Sequence, residues 1–257
     1  MAHWDYIIRI KDLHKSFGPK KVLKGVNLNV VTGKTTVILG LSGGGKSTII
    51  KHIVRLLVPD RGEVWVEDVD MARADEETVF RMRKKIGYLF QSGALFDSMN
   101  VYENVSFPLR EHTNMSEEEI RKKVEERLRL VGLNPQDVLF LYPDELSGGM
   151  KKRVGLARST ILDPEIILYD EPTSGLDPIT SDLITRLIRK MQDELHVTSV
   201  LISHDIKESF KAGDYFAMLY DGKIIEYGDK ESFKNSTNPY VRQFLEGRAD
   251  GPIQIVR

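Results

Sequence analysis

The sequence predicts an α/β fold, a mostly parallel core sheet that carries a helical subdomain. Three observations lead there. Short apolar, β-branched runs recur near both ends of the chain, amphipathic helical patterns alternate with them, and the stretch from about 92 to 162 reads as rich in helix. A length of 257 residues suits one large domain or one domain with a sizeable insertion.

Taken in order, 7–10 and 26–31 read as strands. Thr36-Val37-Ile38-Leu39 is short, β-branched and followed by glycine, which suits a strand buried on both faces. Residues 47–53 then read as helix and 62–66 as strand. Ser116 and Glu119 form a capping box, and behind it Ile120, Val124, Leu128 and Val131 recur on one helical face. A further helix is expected from near Ser147, and 165–169 returns to strand. Asp177-Pro178 pairs an N-cap with a first-turn proline. Ile179, Leu183, Leu187, Met191 and Leu195 are expected to form the apolar stripe of the helix behind it. Residues 197–203 read as strand, and 216–220 with 223–227 as a hairpin around Asp221-Gly222. From Gly247 the periodicity ends, and this tail (246–257) is expected to be exposed.

Composition narrows the function. Lys plus Arg number 37 against 38 Asp plus Glu, a net charge of −1, which argues against wholesale nucleic-acid binding. There is no cysteine, so thiolate metal sites, disulfides and cysteine nucleophiles are excluded. No run approaches the ~18 uninterrupted apolar residues of a membrane span. The first six residues, Met1-Ala2-His3-Trp4-Asp5-Tyr6, lack a basic and then apolar leader pattern, so the chain is expected to stay in the compartment where it is made.

Gly40-Leu41-Ser42-Gly43-Gly44-Gly45-Lys46-Ser47, followed by Thr48, matches G-x-x-x-x-G-K-[ST] between a strand and a helix. Glycines let successive backbone N–H groups turn inward around phosphate oxygens, and the helix start adds partial positive charge. Lys46 supplies a full charge to the β- and γ-phosphates, and the Ser47 hydroxyl suits Mg²⁺. A second apolar strand, Ile166-Ile167-Leu168-Tyr169, ends in Asp170-Glu171. Ligands of parallel α/β sheets lie beyond the carboxyl ends of strands. Asp170 is thus placed to hold Mg²⁺ through water, and Glu171 to orient and deprotonate an attacking water. Leu146-Ser147-Gly148-Gly149-Met150 opens a helix; it suits either a phosphate pocket or a serine cap with a glycine turn.

The order of these pieces, with Phe90-Gln91 before Ser147, Ser174-Gly175-Leu176-Asp177 after Glu171, and then His204, closely resembles the ATP-binding subunit of ABC transporters from about 7 to 245. The resemblance implies a P-loop NTPase (RecA-like) core sheet with an N-terminal antiparallel β part and a helical subdomain at about 92–162. It implies ATP and Mg²⁺ as ligands, with Phe17 stacking on adenine and Gln91 reaching Mg²⁺ and the attacking water. His204 corresponds to the histidine that contacts the γ-phosphate. Ser147, Gly148 and Gly149 would bind the γ-phosphate of ATP held by a second copy in a head-to-tail homodimer, with Asp177 at that interface. Phe17 as edge packing, Gln91 as a loop amide and His204 as a polar loop residue are the plainer readings of the same positions.

One departure narrows the family. The usual signature has Gln where Met150 stands here. Together with Phe90-Gln91-Ser92-Gly93-Ala94-Leu95-Phe96-Asp97-Ser98-Met99 and Val101-Tyr102-Glu103-Asn104-Val105, it is similar to the ATPase of Mla-type phospholipid transport systems. That resemblance implies an ATPase at the cytoplasmic face of the inner membrane, a membrane permease, a membrane-anchored lipid-binding subunit and a small cytoplasmic regulatory subunit. Leu95, Phe96, Met99 and Val101 are then the expected docking groove for the permease, or else core of the helical subdomain. Another cargo (an amino acid or ion), or an ABC ATPase without a permease, are the rival readings; a P-loop kinase or GTPase leaves residues 146–149 unexplained.

Overall fold

The computed structural model describes residues 5–254; residues 1–4 of the N-terminal stretch and 255–257 of the tail lie outside the described residues. In chain order the elements begin with β1 (Tyr6–Phe17), β2 (Lys20–Val31), β3 (Thr35–Leu39), α1 (Lys46–Ile53), β4 (Arg61–Val66), β5 (Val69–Asp70) and α2 (Glu76–Lys84). Next come β6 (Ile86–Leu89), α3 (Val101–His112), α4 (Glu117–Leu130), α5 (Pro135–Val138), a 3₁₀ turn (Pro143–Glu145), α6 (Gly148–Thr160), β7 (Ile166–Asp170) and α7 (Pro178–Leu195). The chain closes with β8 (Thr198–Ile202), α8 (Ile206–Ala212), β9 (Tyr215–Tyr220), β10 (Lys223–Asp229), α9 (Lys230–Lys234) and α10 (Pro239–Glu246). These elements group into two units, Met1–Val79 with Val200–Arg257, and Phe80–Ser199.

The first unit holds two sheets. Ile8 and Ile10 on β1, and Val26, Leu28 and Val30 on β2, alternate with polar residues and are buried, as a half-exposed sheet requires. The two strands pair antiparallel, and β4 pairs antiparallel with the other edge of β1. Both are longer than the sequence suggested, because Lys-rich outward positions dilute the apolar signal. In the second sheet the order runs β10-β9-β3-β8. β3 is buried at every residue and pairs parallel with β9. The β9–β10 hairpin turns at Asp221 (φ 45°) and Gly222 (φ 75°), the two positive φ values of a tight right-twisting turn. The tail corrects an expectation. Residues 247–252 are exposed, but Ile253 is buried; its N–H donates to Gln243 Oε1 (2.7 Å) and its carbonyl accepts from Gln243 Nε2 (3.1 Å).

The second unit pairs β6 parallel with β7, and the described strands of this unit are otherwise only the start of β8. Ser116 and Glu119 close the expected capping box at α4, and Ile120, Val124, Leu128 and Val131 are all buried. The buried Arg127 and the neighbouring Lys123 both pair with Asp163. α7 corrects the expected stripe: Ile179 is 84 % exposed and Leu183 40 %. Leu187 and Met191 of that stripe are buried, but the rest of the buried face is Ser181, Ile184, Thr185, Ile188 and Gln192, an i, i+3, i+4 set rotated away from a pure i, i+4 ladder. The chain also forms a second capping box at Asn100 and Glu103, starting α3, which buries Val101. Val101 is therefore core rather than groove, while Phe96 stays 43 % exposed.

Candidate functional site

The glycine-rich loop leaves β3 at Gly40, whose φ of 151° and whose position against Leu219 (a Cβ would lie 2.4 Å from that carbonyl oxygen) both demand glycine. Gly43 (φ 72°) and Gly45 (φ 101°) also take left-handed turns. Ser42 is exposed, and Leu41, Gly44, Ser47 and Thr48 are partly exposed, so the loop faces outward. α1 starts at Lys46 with no side-chain cap and no carboxylate in its first turn. An uncapped helix start leaves donors for an anion to satisfy. Lys46, 4 % exposed, donates from Nζ to the carbonyls of Gly40 (2.9 Å) and Leu41 (3.0 Å), which fixes its ammonium over the loop. These features fit a nucleotide's phosphates. Phe17 ends β1 with 48 % of its surface exposed, a ring open to stacking.

In the second unit β7 carries the carboxylates. Asp170 ends the strand and is 6 % exposed. Glu171 takes a left-handed φ of 48°, which swings its side chain off the strand line that Asp170 follows. Gln91 Nε2 donates to Glu171 Oε2 (3.3 Å) and Ser174 Oγ (3.3 Å), so three residues singled out in sequence come together: Gln91, Glu171 and the segment of Ser174. Tyr88 Oη donates to Asp170 Oδ2 at 3.2 Å. Among the described residues no cluster of three His, Asp or Glu could by itself hold a metal ion. A single carboxylate with hydroxyl and amide oxygens fits Mg²⁺, which keeps waters and phosphate oxygens in its shell.

Ser147 caps α6, its Oγ accepting from Met150 N (3.3 Å), so the capping reading holds; Ser147 and Gly148 are exposed beside it. A Cβ on Gly149 would lie 2.5 Å from Thr180 Cγ2. Asp177 caps α7 through the amides of Ile179 and Thr180 (3.0 Å each) and accepts from Thr180 Oγ1 (2.6 Å). The Thr180 hydroxyl and amide hold the Asp177 carboxyl below its ordinary range. Ser147, Gly148 and Asp177 are thus exposed at one corner, with buried Gly149 packed against Thr180 beneath them. His204 lies two residues past the end of β8 and is exposed, ahead of Asp205, which caps α8.

Sequence reasoning missed the groups that hold this site. Lys152, 5 % exposed on α6, donates from Nζ to the Gln91 carbonyl. Burial lowers its pKa, while the Asp170 and Glu171 carboxylates act to raise it. Arg158, also on α6, donates to the carbonyls of Gly93 (3.0 Å) and Ala94 (2.8 Å) and lies 5.4 Å from the Phe96 ring centre. Asn104 binds Phe96, Met99 and Asn100. The segment after Gln91 is thereby held open beside a cleft of about 410 Å³ whose walls include Tyr88, Phe90, Phe96, Phe107 and Arg158. The spacing of Lys152 and Arg158 behind Ser147 was the one available signal.

The family model described as ABC transporter matches residues 23–174. The chain is 43 % identical over 246 residues to a Mycobacterium leprae protein named a probable ribonucleotide transport ATP-binding protein, covering 96 % of this chain and 70 % of that one. It is 41 % identical over 249 residues to the Haemophilus influenzae protein named intermembrane phospholipid transport system ATP-binding protein MlaF, covering 97 % and 94 %. Among solved structures, the dimeric ATP-binding cassette MJ0796 in a post-hydrolysis state with ADP and phosphate matches with a TM-score of 0.80 and 34 % identity, covering 87 % of this chain and 98 % of that one. With the phosphate loop, the acidic strand end and the Ser-Gly-Gly corner in the family's order, the chain belongs to the ABC transporter family and is the ATP-binding, ATP-hydrolysing subunit of such a transporter.

Proposed function

We propose that this ATPase powers phospholipid transport across or from the bacterial inner membrane, working at its cytoplasmic face through a partner permease. The observation that carries the cargo is the near full-length match to the MlaF protein, 97 % of this chain and 94 % of that one. The Gln91–Val105 segment and Met150, which resemble that group in sequence, point the same way. The Mycobacterium leprae relative bears a ribonucleotide name, and that cargo is the second reading. Among the described residues no helix is long and apolar enough to cross a membrane, so the permease supplies the membrane path in this reading. Residues 7–245 form the nucleotide-binding domain with a helical subdomain at about 92–162, and 246–257 its tail.

Each site residue then has a task. The amides of 40–48 and Lys46 hold the β- and γ-phosphates, and Phe17 stacks on adenine. Ser47, Asp170 and Gln91 would hold Mg²⁺, which when bound would supply charge neutralisation at the phosphate oxygens. Glu171 accepts the proton of the attacking water, oriented with Gln91 to which it is already hydrogen-bonded. His204 contacts the γ-phosphate. Ser147, Gly148, Gly149 and Asp177 serve the ATP of a second copy; Ser147, Gly148 and Asp177 are exposed, and Ser147 and Asp177 are already ordered as helix caps. ATP draws two copies together and hydrolysis releases them. The cleft beside Phe96 receives the permease; a membrane-anchored lipid-binding subunit and a small regulatory subunit complete the assembly.

Glu171→Gln tests the chemistry. It keeps the amide contact to Gln91 and removes the base, so ATP binding survives and turnover falls about 10²–10⁴-fold. Wild-type phosphate release by this variant refutes the assignment. For cargo, the chain is purified with whatever membrane subunits travel with it, and phospholipid and ribonucleotide movement are assayed in the reconstituted complex; ATP-dependent ribonucleotide movement alone reverses the reading.

A further inference from the structure

We propose that Tyr88 is a positioning residue that fixes the Asp170 carboxylate for its divalent cation and ties it to the wall of the apolar cleft. The proposal rests on the reading of Asp170 as a metal-holding group.

In the β6–β7 pair, Tyr88 stands opposite Leu168. Side chains alternate along strands, so Tyr88 and Phe90 share a face with Leu168 and Asp170. Tyr88 reaches along this face, and its Oη donates to Asp170 Oδ2 at 3.2 Å. A carboxylate oxygen can only accept, so the phenol O–H is the donor in this contact. Asp170 is 6 % exposed, which leaves little room for water to replace that bond. A donor on Oδ2 restrains the rotation of the carboxylate about its Cβ–Cγ bond. The other end of Tyr88 is anchored differently. Its ring stacks on Phe90, with centres 4.1 Å apart and planes 25° from parallel, and both rings wall the cleft. The place of the hydroxyl is therefore set by packing in the cleft. A phenylalanine would preserve the stack and lose the bond; a small polar residue would preserve neither the reach nor the wall.

The experiment measures Mn²⁺ affinity, from the electron paramagnetic resonance signal of free Mn²⁺, for the full chain loaded with ATP in a Glu171→Gln background. Adding Tyr88→Phe weakens Mn²⁺ binding roughly 10- to 100-fold, the loss of one hydrogen bond to a charged group. ATP affinity without divalent cation stays unchanged, which a general loss of structure would not give, and the thermal midpoint falls by no more than the few degrees of one lost hydrogen bond. Adding Phe90→Ala weakens Mn²⁺ binding by a smaller factor, and combining it with Tyr88→Phe adds nothing further. In the chain with Glu171 intact, Tyr88→Phe raises the Mg²⁺ concentration for half-maximal ATPase while the rate at saturating Mg²⁺ holds. If Asp170→Asn weakens Mn²⁺ and Tyr88→Phe does not, the positioning role is overturned and the metal reading stands. If Asp170→Asn also leaves Mn²⁺ unchanged, the metal reading falls and this proposal with it. Additive effects of Phe90→Ala and Tyr88→Phe overturn the link to the cleft.

Discussion

Asn104 holds the wall of the cleft, and replacing it with leucine measures how much that wall depends on one buried amide. Asn104 is 0 % exposed. Its Oδ1 accepts from Phe96 N (2.8 Å) and Arg158 Nη1 (3.3 Å), and its Nδ2 donates to the carbonyls of Phe96 (3.1 Å), Met99 (2.9 Å) and Asn100 (3.1 Å). Leucine likewise has four side-chain heavy atoms branched at Cγ, so the shape is nearly kept and the hydrogen bonds are removed. Two of these losses are shared: Phe96 O still accepts from Met99 N, and Asn100 O from Asn104 N. Phe96 N and Met99 O have no other partner among the described residues. At about 1 kcal/mol for each orphaned backbone group and about 1 kcal/mol for the Arg158 contact, the cost is about 3 kcal/mol. For a chain of this size that lowers the thermal midpoint by about 6–12 °C. Calorimetry of the Asn104→Leu chain checks the value. A midpoint within about 1 °C of the parent refutes the reasoning, because water would then be meeting these groups as well as Asn104 does.

Other outcomes follow from single contacts. Gly149→Ala places a methyl against Thr180 Cγ2, and Thr180 cannot rotate away without releasing Asp177; the midpoint falls by the few degrees that about 1–2 kcal/mol of overpacking implies. Thr180→Ser removes that methyl and keeps the hydroxyl, so the double variant regains most of the loss; no rescue refutes the contact. His52 is 1 % exposed, with Nδ1 2.7 Å from the Thr48 carbonyl, and burial pulls its pKa below the ordinary 6.5. The unfolded chain therefore binds a proton the folded chain resists, so the His52 contribution is intact above pH 6.5 and is lost as pH falls below it, by at most about 1.4 kcal/mol per pH unit. Urea midpoints at pH 7.5 and 5.5 for the parent and His52→Asn chains measure this; equal pH slopes contradict it.

Much of the site was legible because its parts are local. The loop from Gly40 to Ser47 joins a strand to a helix within a few residues, and the caps at Ser116, Ser147 and Asp177 each bind amides two or three positions on. Where the sequence reading went astray, the deciding partners lie elsewhere. The stripe through Ile179 and Leu183 is a sound helical period, but which side of α7 is covered depends on what packs there. Ile253 carries no periodic signal and is buried because Gln243 captures its backbone. The start of α3 could have been read from Asn100 and Glu103, an Asn-led version of the capping box recognised at Ser116.

The sequence by itself determined the parts of the candidate site: a lysine among glycines, paired carboxylates at a strand end, a second serine-glycine corner. These are set by residue type and short spacing, and short spacing fixes geometry whenever the backbone between is a turn or a helix. Only the tertiary structure decided how the pieces are held. Gln91 meets Glu171 across 80 positions, Tyr88 meets Asp170 across 82, and Lys152 meets the Gln91 carbonyl across 61. Contacts that distant leave no period in the chain, because they arise from the register of β6 on β7 and from the face that α6 turns toward the Gln91 segment.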